Sequence, residues 1–453
     1  MKCKTAIVLL ALLCATSGLS DLYAQKKSKF GSFIKAVTEV ATEGTKSKET
    51  VKTDAKTTES AVAVTNVVAE VVAWKPGRPV LSPSTKTVFV NSVKADCFSD
   101  GMVRVTNTDN FKFGYFDTKG NKVIDLVWGG STNLTNQFNG GAATVMKDMK
   151  YHILHKDGSV IQMPANITRM TDFCDGIALG VKNMGVRVKG KLVYLDAQGK
   201  EIFPTLGQTI ENAFFSFPQS PRKVSEGLRA FIDVNKNRWG YADKTGRIVI
   251  PATYMNADDF SDGLAAVQLY DANASGNLGK WGFIDKAGKV VVEAKFSEHP
   301  LWFANGLAPV QKQSGKFVYI NKKGQVVSGE YDSANSFYAG YAFVNQVSRP
   351  KYTSVIDTTF TEVRRTSEMY IPYEQAEMGY HFQDNVASVR LGGDGCWLVS
   401  PDGKELIKGN YNEAMFGYNS GLAHCQAFVG NQRYDGFINI KGEYIFIFKD
   451  EEF

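Results

Sequence analysis

The chain is 453 residues long, 43% apolar and 22% charged, with a formal net charge of +6. That is enough apolar side chain to bury a large core, which excludes a disordered chain, and both signs of charge are interspersed without a basic run of the nucleic-acid type. After the first two dozen residues no stretch reaches about 18 consecutive apolar positions, so a membrane-spanning helix is excluded as well.

In chain order, Lys2 and Lys4 precede an apolar run from Ala6 to Ala15, followed by a polar stretch and Tyr23-Ala24-Gln25. This pattern predicts a secretory signal over residues 1–24, cleaved after Ala24, and an exported protein: periplasmic, outer-membrane-associated or extracellular. The apolar core is too short for a span, and Leu13 before Cys14 is too large for a lipoprotein cleavage site. Residues 25–78 are rich in Lys, Thr, Glu, Ala and Val and predict a low-complexity tether. Two readings stay open there, a disordered spacer or a short amphipathic helix carrying Phe30, Phe33, Ile34, Val37 and Val40.

Residues 79–453 are a tandem array of about nine copies of one cassette. Glycines align at Gly101, Gly140, Gly176, Gly227, Gly263, Gly306, Gly340 and Gly421, with Asn385 in the same slot, and the eight intervals from Gly101 to Gly421 average 40 residues. A second glycine closes a turn opened by Asp or Asn, as in Asp243-Lys-Thr-Gly246 and Asp285-Lys-Ala-Gly288. The Asp side chain can bond to the backbone ahead, and glycine accepts the left-handed conformation that a Cβ penalises, so these aspartates read as structural parts of hairpins. Seven residues before the turn glycine stands a bulky group: Phe113, Tyr151, Leu192, Trp239, Trp281 or Phe317.

In Trp281-Gly-Phe-Ile-Asp285 both strand faces carry apolar or small groups, and Leu264 to Val267 and Val290 to Val292 repeat the pattern, so each sheet is expected to be covered on both sides. The glycine after the aromatic residue, at Gly114, Gly240, Gly282 and Gly436, is expected to admit a neighbouring backbone or ring. In other copies that slot holds His152, Val193, Val318 or Trp397, which favours packing over a repeated chemical site.

The segment Lys280-Trp281-Gly282-Phe283-Ile284-Asp285, with Trp239-Gly240 and the turns ending at Gly246 and Gly288, resembles the bacterial WG-repeat (Lys-Trp-Gly) family over roughly residues 90 to 450. The resemblance implies an all-β repeat array. It supplies no catalytic residues and no cofactor.

Two architectures fit: a propeller-like toroid, or an open β-superhelix, since nine copies exceed the usual 4 to 8 blades. Four cysteines follow the signal, Cys97, Cys174, Cys396 and Cys425, without Cys-x-x-Cys spacing, so they read as small buried hydrophobes, with a Cys396 to Cys425 bridge as the alternative. His152 and His155 lie three apart and fall on opposite strand faces, and no metal or cofactor motif occurs.

Two interruptions of the repeat mark candidate binding loops. The run from Gly199 to Gly227 spans 28 residues where five of the other six such runs span 16 to 18, and it holds Phe214, Phe215 and Phe217. The second contains Arg364, Arg365, Tyr370 and Tyr373. Aromatic and Arg side chains on loops suit recognition. The function predicted is a non-enzymatic binding or scaffold protein presenting loops to a protein or glycan of the cell envelope. The alternative is a glycan-active hydrolase or lyase on a propeller-like fold, for which adjacent acids such as Asp258-Asp259 are the weak hint.

Overall fold

The computed structural model describes residues 79–449 apart from 130–133, 185–188, 211–219, 348–350, 367–369, 373–381, 392–394, 410–412 and 430–431. The predicted signal and tether therefore lie outside the described residues. Those described are all-β, with two single-turn 3-10 segments, Pro204–Leu206 and Ser275–Asn277, as the helical exceptions.

Nine sheets follow one another, each built on an antiparallel meander in sequence order, with Lys86–Phe89 added in parallel to the ninth. The first holds Val93–Ser99, Met102–Asn107, Phe113–Asp117 and Lys122–Trp128, and the fifth holds Asn256–Ala257, Leu264–Tyr270, Leu278–Asp285 and Val290–Phe296. Nine buried clusters join consecutive sheets. Ala230 and Tyr241 of the fourth meet Ala265 and Ile284 of the fifth, while Leu264 and Phe283 meet Ala308 and Val318 of the sixth. The ninth cluster sets Phe98 and Val103 of the first sheet against Phe437 and Phe446 of the ninth. The array is thus a closed toroid, which decides between the two architectures that the sequence left open.

The aligned glycine of each repeat proves to lie between strands. Except in the second repeat, where Gly140 and Gly141 fill the two central positions between Asn139 and Ala142, it occupies the second central position of a two-residue turn joining the first and second strands, as in Ser261-Asp262-Gly263-Leu264, where Asp262 and Gly263 have φ of 54° and 84°. Two positive φ angles make a type I′ turn, whose twist matches that of the strands. The second turn, between the third and fourth strands, is opened by an acid: Asp285 accepts from the Ala287 and Lys289 N–H groups at 3.0 and 2.9 Å, and Gly288 takes a φ of 81°. In the seventh sheet, which lacks that glycine, Phe360 occupies the position at 65°.

The glycine of the Trp-Gly pair answers to an irregularity in the fourth strand. Trp281 pairs with Phe296 and Phe283 with Val292, so two steps along one strand face four along the other, and the fourth strand bulges. A Cβ on Gly282 would lie 2.7 Å from the Val292 carbonyl oxygen and 2.8 Å from the Ala294 nitrogen. The first and fourth sheets repeat this at Gly114 and Gly240. Where His152 or Trp397 fills the slot, the fourth strand pairs with it in regular steps. Gly436 has no bulge opposite, yet a Cβ there would meet the Phe446 carbonyl oxygen at 2.6 Å.

Seams between sheets reuse one aromatic contact. The ring two residues after the bulky strand residue packs obliquely or edge-on against a Phe that immediately precedes the first turn of the next sheet: Tyr115 on Phe138, Tyr241 on Phe260, Phe283 on Phe303 and Tyr319 on Phe337, at 4.7 to 5.1 Å between centroids. The hydroxyls of Tyr241 and Tyr319 donate to the carbonyls of Asp258 and Asn335 at 2.7 Å, and that of Tyr115 donates to Asn136. Each phenol thus finds an acceptor in a dry seam.

The type I′ turns are stitched head to tail. The backbone N–H of Gly101 donates to Ser420, Gly141 to Asp100, Asp175 to Asn139, Gly263 to Glu226 and Gly306 to Asp262, each at 2.5 to 3.1 Å. Lysines beside the second turns reinforce three stitches: Lys156 with Asp100, Lys286 with Glu226 and Lys322 with Asp262, at 2.6 to 3.0 Å. Ser420 to Gly101 is the closing stitch. Residues 79–89 add a strap, as Val80 bridges Glu443 and Lys86–Phe89 pairs in parallel with Phe446 to Lys449 on the outer edge of the ninth sheet. From that strand the Lys86 ammonium donates to the Gly120 carbonyl and to Asn121 of the first sheet, at 2.8 and 2.6 Å.

Burial on both sides holds for Trp281 to Ile284 and for Leu264 to Val267, but the expectation fails for Val290 and Val291. They lie on the outermost strand, which has no covering sheet at the circumference, and Val290 is 50% exposed. The cysteines also differ from expectation: Cys425 is buried, but Cys97 and Cys174 are only half-buried. The Cys396 side chain lies outside the described residues.

These contacts set pH limits. Burial pushes Tyr194 up to about 12 and raises Tyr115, Tyr241 and Tyr319 as well. In the unfolded chain a phenol ionises near 10, so this contribution is full below about pH 10 and falls as pH rises towards the folded values. At Glu226 and Asp262 burial works against the charge. The Lys286 and Gly263 contacts at Glu226, and the Lys322 and Gly306 contacts at Asp262, overcome it and hold both carboxyls below their ordinary range. Their contribution is present above the unfolded carboxylate pKa and is lost as pH falls. A plot of denaturation midpoint against pH should be flat from roughly pH 5 to 10 and drop on either side; a midpoint still rising between pH 9 and 11 contradicts the alkaline limb.

Candidate functional site: the hairpin-tip face

An antiparallel meander of four strands sends its first and third turns to one face of the ring and its middle hairpin, with the link to the next sheet, to the other. The turn face is occupied by the stitches just described. The hairpin-tip face is not.

Several tips there carry large apolar side chains in the open: Phe111 in the first sheet, Met149 in the second, Met184 in the third, Tyr270 and Leu278 in the fifth, and Val347 in the seventh. Phe111 is 75% exposed and Met149 93% exposed. Both also hold a φ of 58°, in the left-handed region where a bulky side chain is disfavoured. Met149 fills the second position of a type I′ turn with Asp148, at 49°, before it, where Asn-Gly is the favoured pair. Nothing in the fold is gained by a buried contact at such positions, and strain of this kind concentrates at functional surfaces.

Cations flank the tips. Lys112 follows Phe111, Lys147 and Lys150 bracket Met149, and Lys280 follows Leu278 by two. The Lys147 ammonium lies 5.9 Å from the Trp128 ring centre, and the Arg238 guanidinium of the fourth sheet lies 4.4 Å from that of Tyr270. The tips of the fourth and sixth sheets are polar, Asn235-Lys236-Asn237 and Lys312 to Lys316.

Of the residues singled out from sequence, Phe214, Phe215, Phe217 and Tyr373 lie outside the described residues. The chain reaches the first three from Ile210, paired with Gly190 at the hairpin-tip end of the third sheet. The backbone of Tyr370 pairs with Leu391 at the corresponding end of the eighth. Arg364 and Arg365 are placed elsewhere, on the outer strand Glu362–Arg365 of the seventh sheet. Arg364 donates to the Asp402 carbonyl of the eighth sheet at 3.1 Å, and Arg365 pairs with Glu362 at 2.8 Å beneath the Tyr352 ring. Asp243, Gly246, Asp285 and Gly288 form the second turns, and Trp239, Gly240, Trp281 and Gly282 the buried third strands. Phe111 and Met149 were overlooked in the sequence. The signal was there for Met149: a two-residue tip between strands, Lys147-Asp148-Met149-Lys150, with methionine where turn chemistry asks for glycine.

Among the described residues, His152, His299 and His424 fall in different sheets, each with a partner of its own. His152 Nδ1 donates to the Lys150 carbonyl at 3.0 Å in the second sheet, His299 pairs with Asp258 at 2.7 Å while stacked on Trp281, and buried His424 pairs with Asp435 in the ninth. Asp259 is the one member of the acidic pair with an oxygen, Oδ1, buried without a hydrogen-bond partner among the described residues; burial pushes its pKa up against the opposing pull of Arg222. No cluster of three metal-ligating side chains occurs among the described residues.

A family model described as a WG containing repeat matches residues 239–271, 281–317 and 319–346. No curated protein sequence matches the chain. Among solved structures, the chain is similar to a eukaryotic initiation factor (11% identity, 79% of this chain and 96% of that one, TM-score 0.46). It is also similar to the computationally designed Ika8 protein (11%, 66% and 94%, 0.37) and to BamB from Moraxella catarrhalis (12%, 70% and 94%, 0.33).

Proposed function

Taking residues 239–346 as WG-containing repeats within a closed ring of nine sheets, we propose that the protein is an exported, non-enzymatic binding or scaffold protein of the cell envelope that meets its partner through the hairpin-tip face. The observation that carries this reading is the asymmetry of the two faces. On the turn face, polar side chains are consumed in joining one sheet to the next. On the opposite face, bulky apolar residues sit exposed in conformations that the fold itself does not reward. Closed β-rings offer such a face as a broad platform, and variable loops on a rigid frame are how binding surfaces are commonly built. The described chain also reaches this face at Ile210 and Tyr370, beside the two interruptions of the repeat.

The test is capture from envelope extract by immobilised residues 25–453, in parallel with two variants. One replaces the tips, Phe111→Asn with Met149→Gly; the other alters exposed lysines of the turn face, Lys244→Ser with Lys323→Ser. A partner kept by the turn-face variant and lost by the tip variant supports the reading once purified partner reproduces the pattern. The reverse pattern removes it, and release of sugar fragments from an envelope glycan would replace it with the enzymatic alternative.

A further inference from the structure

We infer that what the hairpin-tip face meets is the surface of an anionic lipid bilayer; this rests on the reading of that face as the working surface and names its partner. Three observations favour a bilayer over a folded protein. The apolar tips are separate prongs, in the first, second, third, fifth and seventh sheets, with polar tips at the fourth and sixth between them. A protein partner is held by a contiguous patch of roughly 1,200 to 2,000 Å² whose centre is depleted of charge. Scattered prongs on one side of a ring suit a fluid plane into which each inserts independently.

Second, each of three main prongs stands beside lysine: Phe111 with Lys112, Met149 with Lys147 and Lys150, Leu278 with Lys280. An apolar group that enters the headgroup boundary with a cation at its base is the arrangement of interfacial membrane binding, in which the lysine stem lies along the apolar layer and the ammonium reaches the phosphates. Each such lysine adds attraction to an anionic leaflet that salt screens. Third, Phe111 and Met149 stand exposed in turns whose left-handed backbone suits Asn or Gly better, so bulky apolar side chains are carried outward at positions where the turn itself gains nothing from them.

The experiment is co-sedimentation of residues 25–453 with vesicles of phosphatidylcholine alone and with about one third phosphatidylglycerol. The variants are Phe111→Asn with Met149→Gly, Lys112→Gln with Lys150→Gln, and the turn-face control Lys244→Ser with Lys323→Ser. Because Asn and Gly suit a positive φ better than Phe and Met, the prong variant should melt no lower than the parent, so lost binding will not be lost folding. The parent and the control should bind anionic vesicles, weakly in high salt and little to neutral ones; the prong and lysine variants should each bind roughly tenfold less or weaker still. A parent that ignores anionic vesicles, or binds neutral ones equally, overturns the inference, as does a prong variant that binds like the parent. If the bilayer fails but the prong variant still loses an envelope partner, the reading of the face survives with a protein or glycan as its occupant; if it loses neither, both fall.

Discussion

Gly282→Val is expected to be among the most damaging single substitutions in the ring. The new side chain would start 2.7 Å from the Val292 carbonyl oxygen and under 3 Å from Ala294, both backbone atoms of the bulged fourth strand. Backbone cannot rotate aside as a flexible side chain can. Relief requires the fourth strand to lift, which breaks the Phe283 to Val292 pairing and uncovers the seam where Trp281 and Phe283 meet the sixth sheet. Overpacking alone costs about 1–3 kcal/mol, and the lost seam adds the transfer cost of several buried side chains, so a loss above about 4 kcal/mol or failure to accumulate as folded protein is the outcome anticipated. Gly329→Ala is the control. That position has no heavy atom within 4 Å of an added Cβ, and its φ lies outside the left-handed region. Its stability should stay within about 0.5 kcal/mol of the parent or rise slightly. Equal effects at the two glycines, measured by guanidinium denaturation, would sink the close-approach account.

Weakening the closure is the second large effect. Phe446 is fully buried in the ninth sheet, touches Phe98 of the first sheet as well as Phe437 and Phe448, and approaches Gly120 of the first sheet closely. Phe446→Ala is expected to cost about 3–5 kcal/mol, as for other buried rings. Its location gives the loss a particular form. In an open stack, weakening one seam leaves two shorter stacks; in a ring, it leaves the first and ninth sheets each with an uncovered face. Backbone amide exchange should therefore accelerate in both sheets together, although they lie at opposite ends of the chain, while the fifth sheet stays protected. Deleting residues 79–90 should reproduce the pattern more mildly, since it removes the Lys86–Phe89 pairing and leaves the aromatic seam in place. Faster exchange confined to the ninth sheet would mean that the seam carries little of the ring's stability.

The repeat itself was legible in the sequence because its signals are local: an acid opening a turn, a glycine where φ is positive, an aromatic residue at fixed distance. Periodicity cannot show whether nine such units close, since closure depends on the twist from each sheet to the next. It shows in residues far apart in the chain, such as Ser420 with Gly101 and Phe98 with Phe437. Val290 to Val292 misled for a related reason. An apolar run reads as a strand covered on both sides, and no local feature says that the strand is the last in its sheet. The hairpin-tip face was harder still. Long, aromatic-rich interruptions stand out in the sequence, whereas Met149 sits in a two-residue hairpin tip and Phe111 in an ordinary one, and only the backbone angle with the exposure sets them apart.

The bulge opposite Gly282 also bears on how such a repeat can diverge. In the first, fourth and fifth sheets the glycine coincides with two extra residues in the following strand. In the second and eighth, His152 and Trp397 stand opposite a strand without them. A mutation that replaces the glycine while the extra residues remain meets a wall of backbone, and a deletion of the extra residues while the glycine remains leaves a gap on the strand. The second and eighth copies thus represent coupled changes some ten residues apart, whereas the sixth holds Val318 opposite a strand that keeps its extra residues, Phe317 bridging Tyr331 and Ile320 bridging Val326, so degenerate copies reach more than one packing solution.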